Sequence, residues 1–293
     1  MSTSWFDAYT CVMGAPLDAG RAFFVLKDQA LEENDLAHSI FVEYDSGKWR
    51  EIEMSNWESA GICALAAQRA MLAIGQSGDL AQADLGGSLS TDAMTPAAFR
   101  LRHATALGEE VFACGMRREV YRGSSSGDWR QIFSASAEQG ELAGFECIAG
   151  FSPEDLYVAG WNGELWNGRS GDWQRIDSPT DRMLTGLLCA ESGEVLACGR
   201  AGSLVRGRGD RWEAVDVGPF ADDFWGIAEF AGNIYLSTMK DVFQLKDEQL
   251  VPVTWGETRP ETCYQLASCK DALWSIGPDD IRVYDGSSWT AVL

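Results

Sequence analysis

The chain is expected to be a single all-β domain, a seven-bladed β-propeller with four antiparallel strands per blade. Three observations predict it. Glycines that follow short apolar runs recur at 75, 115, 160, 199 and 277, spaced by 40, 45, 39 and 78 residues, the last interval being twice 39. Tryptophans recur in step: Trp129, Trp173 and Trp212 are 44 and 39 residues apart, Trp289 follows 77 further on, and Trp49 precedes Trp129 by 80. Four short strand-like runs fill each repeat of 38 to 45 residues, and no sustained 3.6-residue periodicity competes with them, so helix should be minor.

Taken in order, blade one (1–54) closes on Lys48-Trp49-Arg50-Glu51-Ile52. Blade two (55–94) keeps Gly75 but has lost its closing tryptophan near Leu89. Blade three (95–133) reads Phe112-Ala113-Cys114-Gly115, Glu119-Val120-Tyr121-Arg122-Gly123, then Asp128-Trp129-Arg130. Blade four (134–177) repeats it as Tyr157-Val158-Ala159-Gly160, Glu164-Leu165-Trp166-Asn167-Gly168 and Asp172-Trp173-Gln174. Blade five (178–217) does so through Gly199, Gly207 and Trp212. Blade six (218–255) is a degenerate copy, with Tyr235-Leu236-Ser237-Thr238 followed by Val242-Phe243-Gln244-Leu245. Blade seven (256–293) ends the series with Gly277, Tyr284 and Trp289. The chain should start on an innermost strand and stop on an outermost one, so that blade seven meets blade one by side-chain packing without exchanging a strand. Ala66, Ala106, Ala149, Ala190, Ala228 and Ala267 fall at matching places on the early strands and are expected to suit a crowded axis. The recurrent glycines are expected to supply positive φ at a tight turn.

The turns Tyr284-Asp285-Gly286-Ser287-Ser288-Trp289, Ser124-Ser125-Ser126-Gly127-Asp128-Trp129 and Arg169-Ser170-Gly171-Asp172-Trp173 resemble degenerate Asp-box turns. Such turns occur in sialidase-like propellers and in the propellers of photosystem assembly factors. The resemblance implies architecture only. The arginine triad and Arg-Ile-Pro start of sialidases are absent, as are the Gly-His and Trp-Asp dipeptides of tryptophan-aspartate repeat proteins.

With 44 acidic and 23 basic residues the formal net charge is −21, which repels phosphate backbones and anionic lipid surfaces and argues against nucleic-acid or membrane partners. The start, Met1-Ser2-Thr3-Ser4-Trp5-Phe6-Asp7, lacks the basic and apolar segments of a signal peptide, and no run approaches 18 uninterrupted apolar residues. A cytoplasmic monomer is expected. The eight cysteines, several inside apolar strands, are read as free buried thiols.

Residues suited to catalysis are scarce. The two histidines, His38 and His103, pair with no cysteine at ligand spacing, so a zinc site is not expected. Gly123-Ser124-Ser125-Ser126-Gly127 matches a nucleophile-elbow pattern but falls on a strand-to-strand turn, where that motif does not work. No cofactor is expected, and a calcium ion held by oxygen ligands in an acidic central channel is the one ion the composition allows for. Carboxylates paired at the channel mouth would make a carbohydrate-active hydrolase, the alternative to a binding protein.

The face built from the blade-connecting loops and the loops between second and third strands gathers the candidate partner-binding residues. They are Glu32, Glu33 and Asp35 from the one long inner-loop insertion, then Trp57, Glu138, Trp161, Asp181, Asp222, Asp223, Trp255, Glu257, Asp279 and Asp280. Arg117, Arg118, Arg200 and Lys240 interrupt the acids. An acidic ring with aromatic anchors suits steering and then holding a basic protein. The expected function is therefore a non-catalytic binding propeller, either an immunity-type inhibitor of a cationic toxin or nuclease, or an assembly scaffold.

Overall fold

The computed structural model describes residues 3–136 and 143–293. Seven four-stranded antiparallel sheets, each drawn from four consecutive strands, span 9–55, 59–93, 101–133, 145–175, 184–214, 226–252 and 265–291. The first strand of each sheet is innermost and the fourth outermost. No sheet borrows a strand from another, as expected.

A blade cannot bury its two faces alone, and the apolar patterning reflects that. Second strands sit at mid-blade between two neighbours and are buried at almost every position, as in Ala70–Gly75, Val195–Gly199 and Ala272–Ile276. Fourth strands face solvent, and every residue of Ser90–Ala93 is exposed. The core therefore lies between blades. Each junction holds its own apolar cluster: Phe23, Phe41, Met71 and Ala73 between blades one and two, for example, and Phe112, Phe145, Ile148 and Val158 between three and four. At about 25 cal/mol per Å² of apolar surface, these interleaved rings are the main force holding the disc together.

Blades one and seven close the ring by side-chain packing. Phe24, Val42, Trp274 and Ile276 share one cluster there. Hydrogen bonds reinforce it: the Gln265 amide accepts from Gly14 N (2.8 Å) and donates to Gly14 O (3.0 Å), and Trp274 Nε1 donates to Asp18 O (3.2 Å).

Two expectations about small residues need correction. The recurrent glycines at the second-strand ends do not take up positive φ; Gly160 and Gly199, at φ 179° and −172°, are extended. Their role is steric. A Cβ on Gly115 would stand 2.5 Å from Arg100 O and 2.7 Å from Leu101 Cα, and one on Gly277 would stand 2.5 Å from Thr262 O. The left-handed residues come later in the same turns, at Arg117, Arg118, Asn162 and Ala201. None of the alanines named above lines the cavity at the axis, and Ala66 lies exposed in the turn after Ser59–Leu65. Crowding falls earlier on the innermost strands, where a Cβ on Gly61 would meet Ala104 N at 2.7 Å and one on Gly226 would meet Leu266 N at 2.6 Å.

The tryptophan repeat has a packing cause. The rings of Trp129, Trp173 and Trp212 lie against Gly123, Gly168 and Gly207 on the third strand, each glycine leaving the space its ring fills. In blade seven Tyr284 stands near that place, and its ring stacks on Trp289 with centroids 5.1 Å apart. The Asp-box-like turn beside it is tied by one carboxylate: Asp285 Oδ1 accepts from Ser287 N (2.8 Å), Ser287 Oγ (2.7 Å) and Ser288 N (2.9 Å). Those bonds hold its pKa down at about 2.

Candidate partner-binding face and axial cavity

Antiparallel succession inside every blade puts the second-to-third-strand loops and the blade-connecting loops on one face of the disc. All the sequence-predicted residues that are described lie on these loops. Glu138, and Glu141 beside it, lie outside the described residues.

The predicted residues divide by what they touch. Glu32, Glu33, Asp35, Asp181, Asp222, Glu257 and Asp279 are exposed. Asp223 and Asp280 instead shape the loops. Asp223 accepts from Ala201 N (2.7 Å), and Asp280 accepts from Glu261 N (2.8 Å) and Thr262 N (3.1 Å) and faces Arg282. The three tryptophans are half-buried and packed: Trp57 on Phe41, Trp255 on Trp289 (4.7 Å between centroids), and Trp161 with its Nε1 donating to Glu146 Oε1 at 2.6 Å.

Sequence reading missed the ion pairs that brace this face. Glu164, fully buried, accepts from Arg118 through Nε (2.6 Å) and again through Nη2, and Arg118 Nη1 donates to Ser136 O (2.9 Å). This bidentate pair locks the inner loops of blades three and four together. Lys27 bridges Glu58 (2.9 Å) and Glu32 (3.4 Å), and Arg259 pairs with Asp241. Nothing in a strand-by-strand pattern marks these partners, which, apart from Lys27 and Glu32, come from different repeats. Exposed apolar side chains on the same loops were also missed: Leu36, Phe99 and Met239, with Met54 at the adjoining strand end. Leu36, set directly after an acidic run, was the legible one.

Along the axis lies a cavity of about 250 Å³, lined in part by Val12, Arg102, His103, Glu146, Cys147, Trp225 and Tyr264. Among the described lining residues Glu146 is the one carboxylate, and it already holds Arg102 (2.9 Å) and the Trp161 indole. This lining is neither the acidic channel that calcium would need nor a pair of opposed carboxylates for glycoside cleavage. Desolvation lowers His103 to about 4, so its ring is neutral near pH 7, with Nδ1 accepting from Ile148 N at 3.4 Å.

Both ring nitrogens of His38 serve the backbone. Nε2 accepts from Asp28 N (2.8 Å) and Nδ1 donates to Leu36 O (2.7 Å). Ser124 and Ser126 share a 2.8 Å hydroxyl contact on a hairpin turn, and among the described residues neither bonds a histidine. All eight cysteines are free, and burial raises the thiols, Cys63 to about 12. They are packing residues rather than nucleophiles at neutral pH. The described residues hold no group of three or more His, Cys, Asp or Glu placed to bind a metal ion, and among them no helix is long and apolar enough to cross a membrane.

Comparison with solved structures agrees on architecture. The chain is similar to a catalytically inactive virginiamycin B lyase from Staphylococcus aureus with quinupristin (TM-score 0.75, 11% identity, 94% of each chain covered). It is also similar to YCF48 bound to D1 peptide (TM-score 0.71, 15% identity, 94% of this chain and 91% of that one). The WD40 propeller domain of Doa1 aligns as well (TM-score 0.70, 10% identity, 95% of each). At these identities the likeness shows the fold alone. No protein-family model matches. In sequence, the chain is 34% identical over 287 residues to the immune protein Tsi7 of Pseudomonas aeruginosa, covering 92% of this chain and 93% of that protein. Identity at that level over nearly the full length of both places this chain in the family of the immune protein Tsi7.

Proposed function

We propose that this chain is a cytoplasmic, non-catalytic immunity protein that binds a protein toxin through its acidic loop face and covers a basic surface of that toxin. The observation that carries the reading is the near full-length identity with an immune protein. The net charge of −21 supports the sign of the partner, because it exceeds what solubility asks of a small domain, about 2 to 8 in magnitude. The exposed carboxylates of the loop face supply a field that draws a cation in from solution, and the braced loops hold a surface that needs little reordering on contact.

The test is coexpression. A toxin-like reading frame neighbouring this one in the host genome, induced alone, should arrest growth, and coexpression of this chain should relieve the arrest. The purified pair should associate at a rate that falls about tenfold or more between low and high salt, as for electrostatically steered partners. Growth arrest that this chain does not relieve, with no complex formed, would refute toxin neutralisation. A complex whose association ignores salt would refute the basic surface.

A further inference from the structure

We infer that one corner of blade one is the principal contact for the partner: Leu36 and Met54, exposed beside Glu33 and Asp35, seat an apolar spot flanked by lysines or arginines on the partner surface. The inference rests on the binding reading above and names where and how that binding occurs.

The corner is unlike the rest of the face. The inner loop of blade one carries the helical turn α1 (Gln29–Glu33), none of whose residues is buried. Leu36, at 55% exposure, follows it. Met54, at 52%, pairs with Ile40 across the outer ladder, one residue before Ser55, which pairs with Ser39. Ser39 comes only three positions after Leu36, so both side chains belong to the same corner. They are the two most exposed large apolar side chains among the described residues. Phe99, the one on the blade-two-to-three loop, has the Arg117 guanidinium 3.7 Å above its ring.

The loop is held rather than loose. Asp28 caps the turn by accepting from Ala30 N (2.8 Å) and Leu31 N (3.1 Å), and Asn34 Nδ2 donates to Ala30 O (2.7 Å). Buried His38 then ties the two arms, joining Asp28 N to Leu36 O through its ring. A leucine fixed in water by its own backbone bond adds contact area to a partner without an ordering cost.

Charge selects that partner. Lys27, beneath the turn, is neutralised by Glu32 and Glu58, while Glu33 and Asp35 are exposed and make no ion pair among the described residues. A polar, single-signed rim around a small apolar centre is the anatomy of a binding hot spot, and this rim accepts cations.

The two parts should separate kinetically, because rim charge acts on association and buried apolar contact on dissociation. The probe is a catalytically inactive form of the toxin whose growth arrest this chain relieves. Leu36→Ser with Met54→Ser should speed dissociation about tenfold or more and leave association within about twofold. Glu33→Gln with Asp35→Asn should slow association severalfold at low salt, the difference vanishing at high salt. All the substituted side chains are exposed, so melting midpoints should stay near that of the unmodified chain. If both variants keep both rate constants within about twofold while the unmodified chain binds, the corner is not the contact and the toxin-binding reading stands. No binding by the unmodified chain overturns both. Sedimentation showing self-association that Leu36→Ser abolishes would identify a second copy as the occupant and overturn the inference.

Discussion

Gly115 shows what the recurrent glycine does, and substituting it tests the steric account directly. With no positive φ to protect, any residue could adopt its backbone; the obstacle is the neighbouring chain. A Cβ would stand 2.5 Å from Arg100 O, where an ordinary carbon–oxygen contact needs about 3.3 Å, so Gly115→Ala must push the strands apart by about 0.8 Å. That movement overpacks a buried site, at about 1–3 kcal/mol, and weakens the bond from Met116 N to Arg100 O, which adds about 1 kcal/mol. Together they predict a loss of about 2–4 kcal/mol, or roughly 3–7 °C in melting midpoint for a chain of 293 residues. Gly171 is the contrast, at φ +90° with open space, nothing within 4 Å, where a Cβ would stand. There alanine should cost about 1 kcal/mol, and asparagine, which tolerates left-handed backbone, should cost less. Urea unfolding of the four variants reads the ranking. At Gly115 asparagine must be at least as damaging as alanine; if it is better tolerated, the glycine serves conformation after all and the steric account is wrong.

Two further outcomes follow from buried charge. Because burial lowers His103 to about 4, the unfolded chain binds more protons than the folded one between that value and about 6.5. Stability should therefore fall as pH drops through this window, by about 2–3 kcal/mol, and His103→Asn should lose less than the unmodified protein when urea midpoints at pH 7 and pH 4.5 are compared. Glu164→Ala leaves the buried Arg118 without this carboxylate and should cost about 3–5 kcal/mol in the same assay, whereas removal of the exposed Asp181 should change stability by less than about 0.5 kcal/mol.

Period and apolar alternation are local properties of the chain, and they were enough to establish the repeat, the four strands within it and the packed closure of the ring. A blade whose faces are both apolar has to stack on copies of itself, so the number of repeats is the number of blades. The face on which these particular loop residues fall was legible for the same reason, since loop position within a repeat decides the face. Everything that depends on which groups meet in space was set by the tertiary structure. Gly115 proved to be steric because Arg100, just before the first strand of the same blade, approaches it; Trp57 and Trp255 pack on Phe41 and Trp289; Glu164 finds Arg118 some 46 positions earlier. Composition counts carboxylates without saying which are already occupied. The exposure of Leu36 likewise depends on His38 reaching back to Asp28, a bond between two arms of a loop that no periodicity encodes.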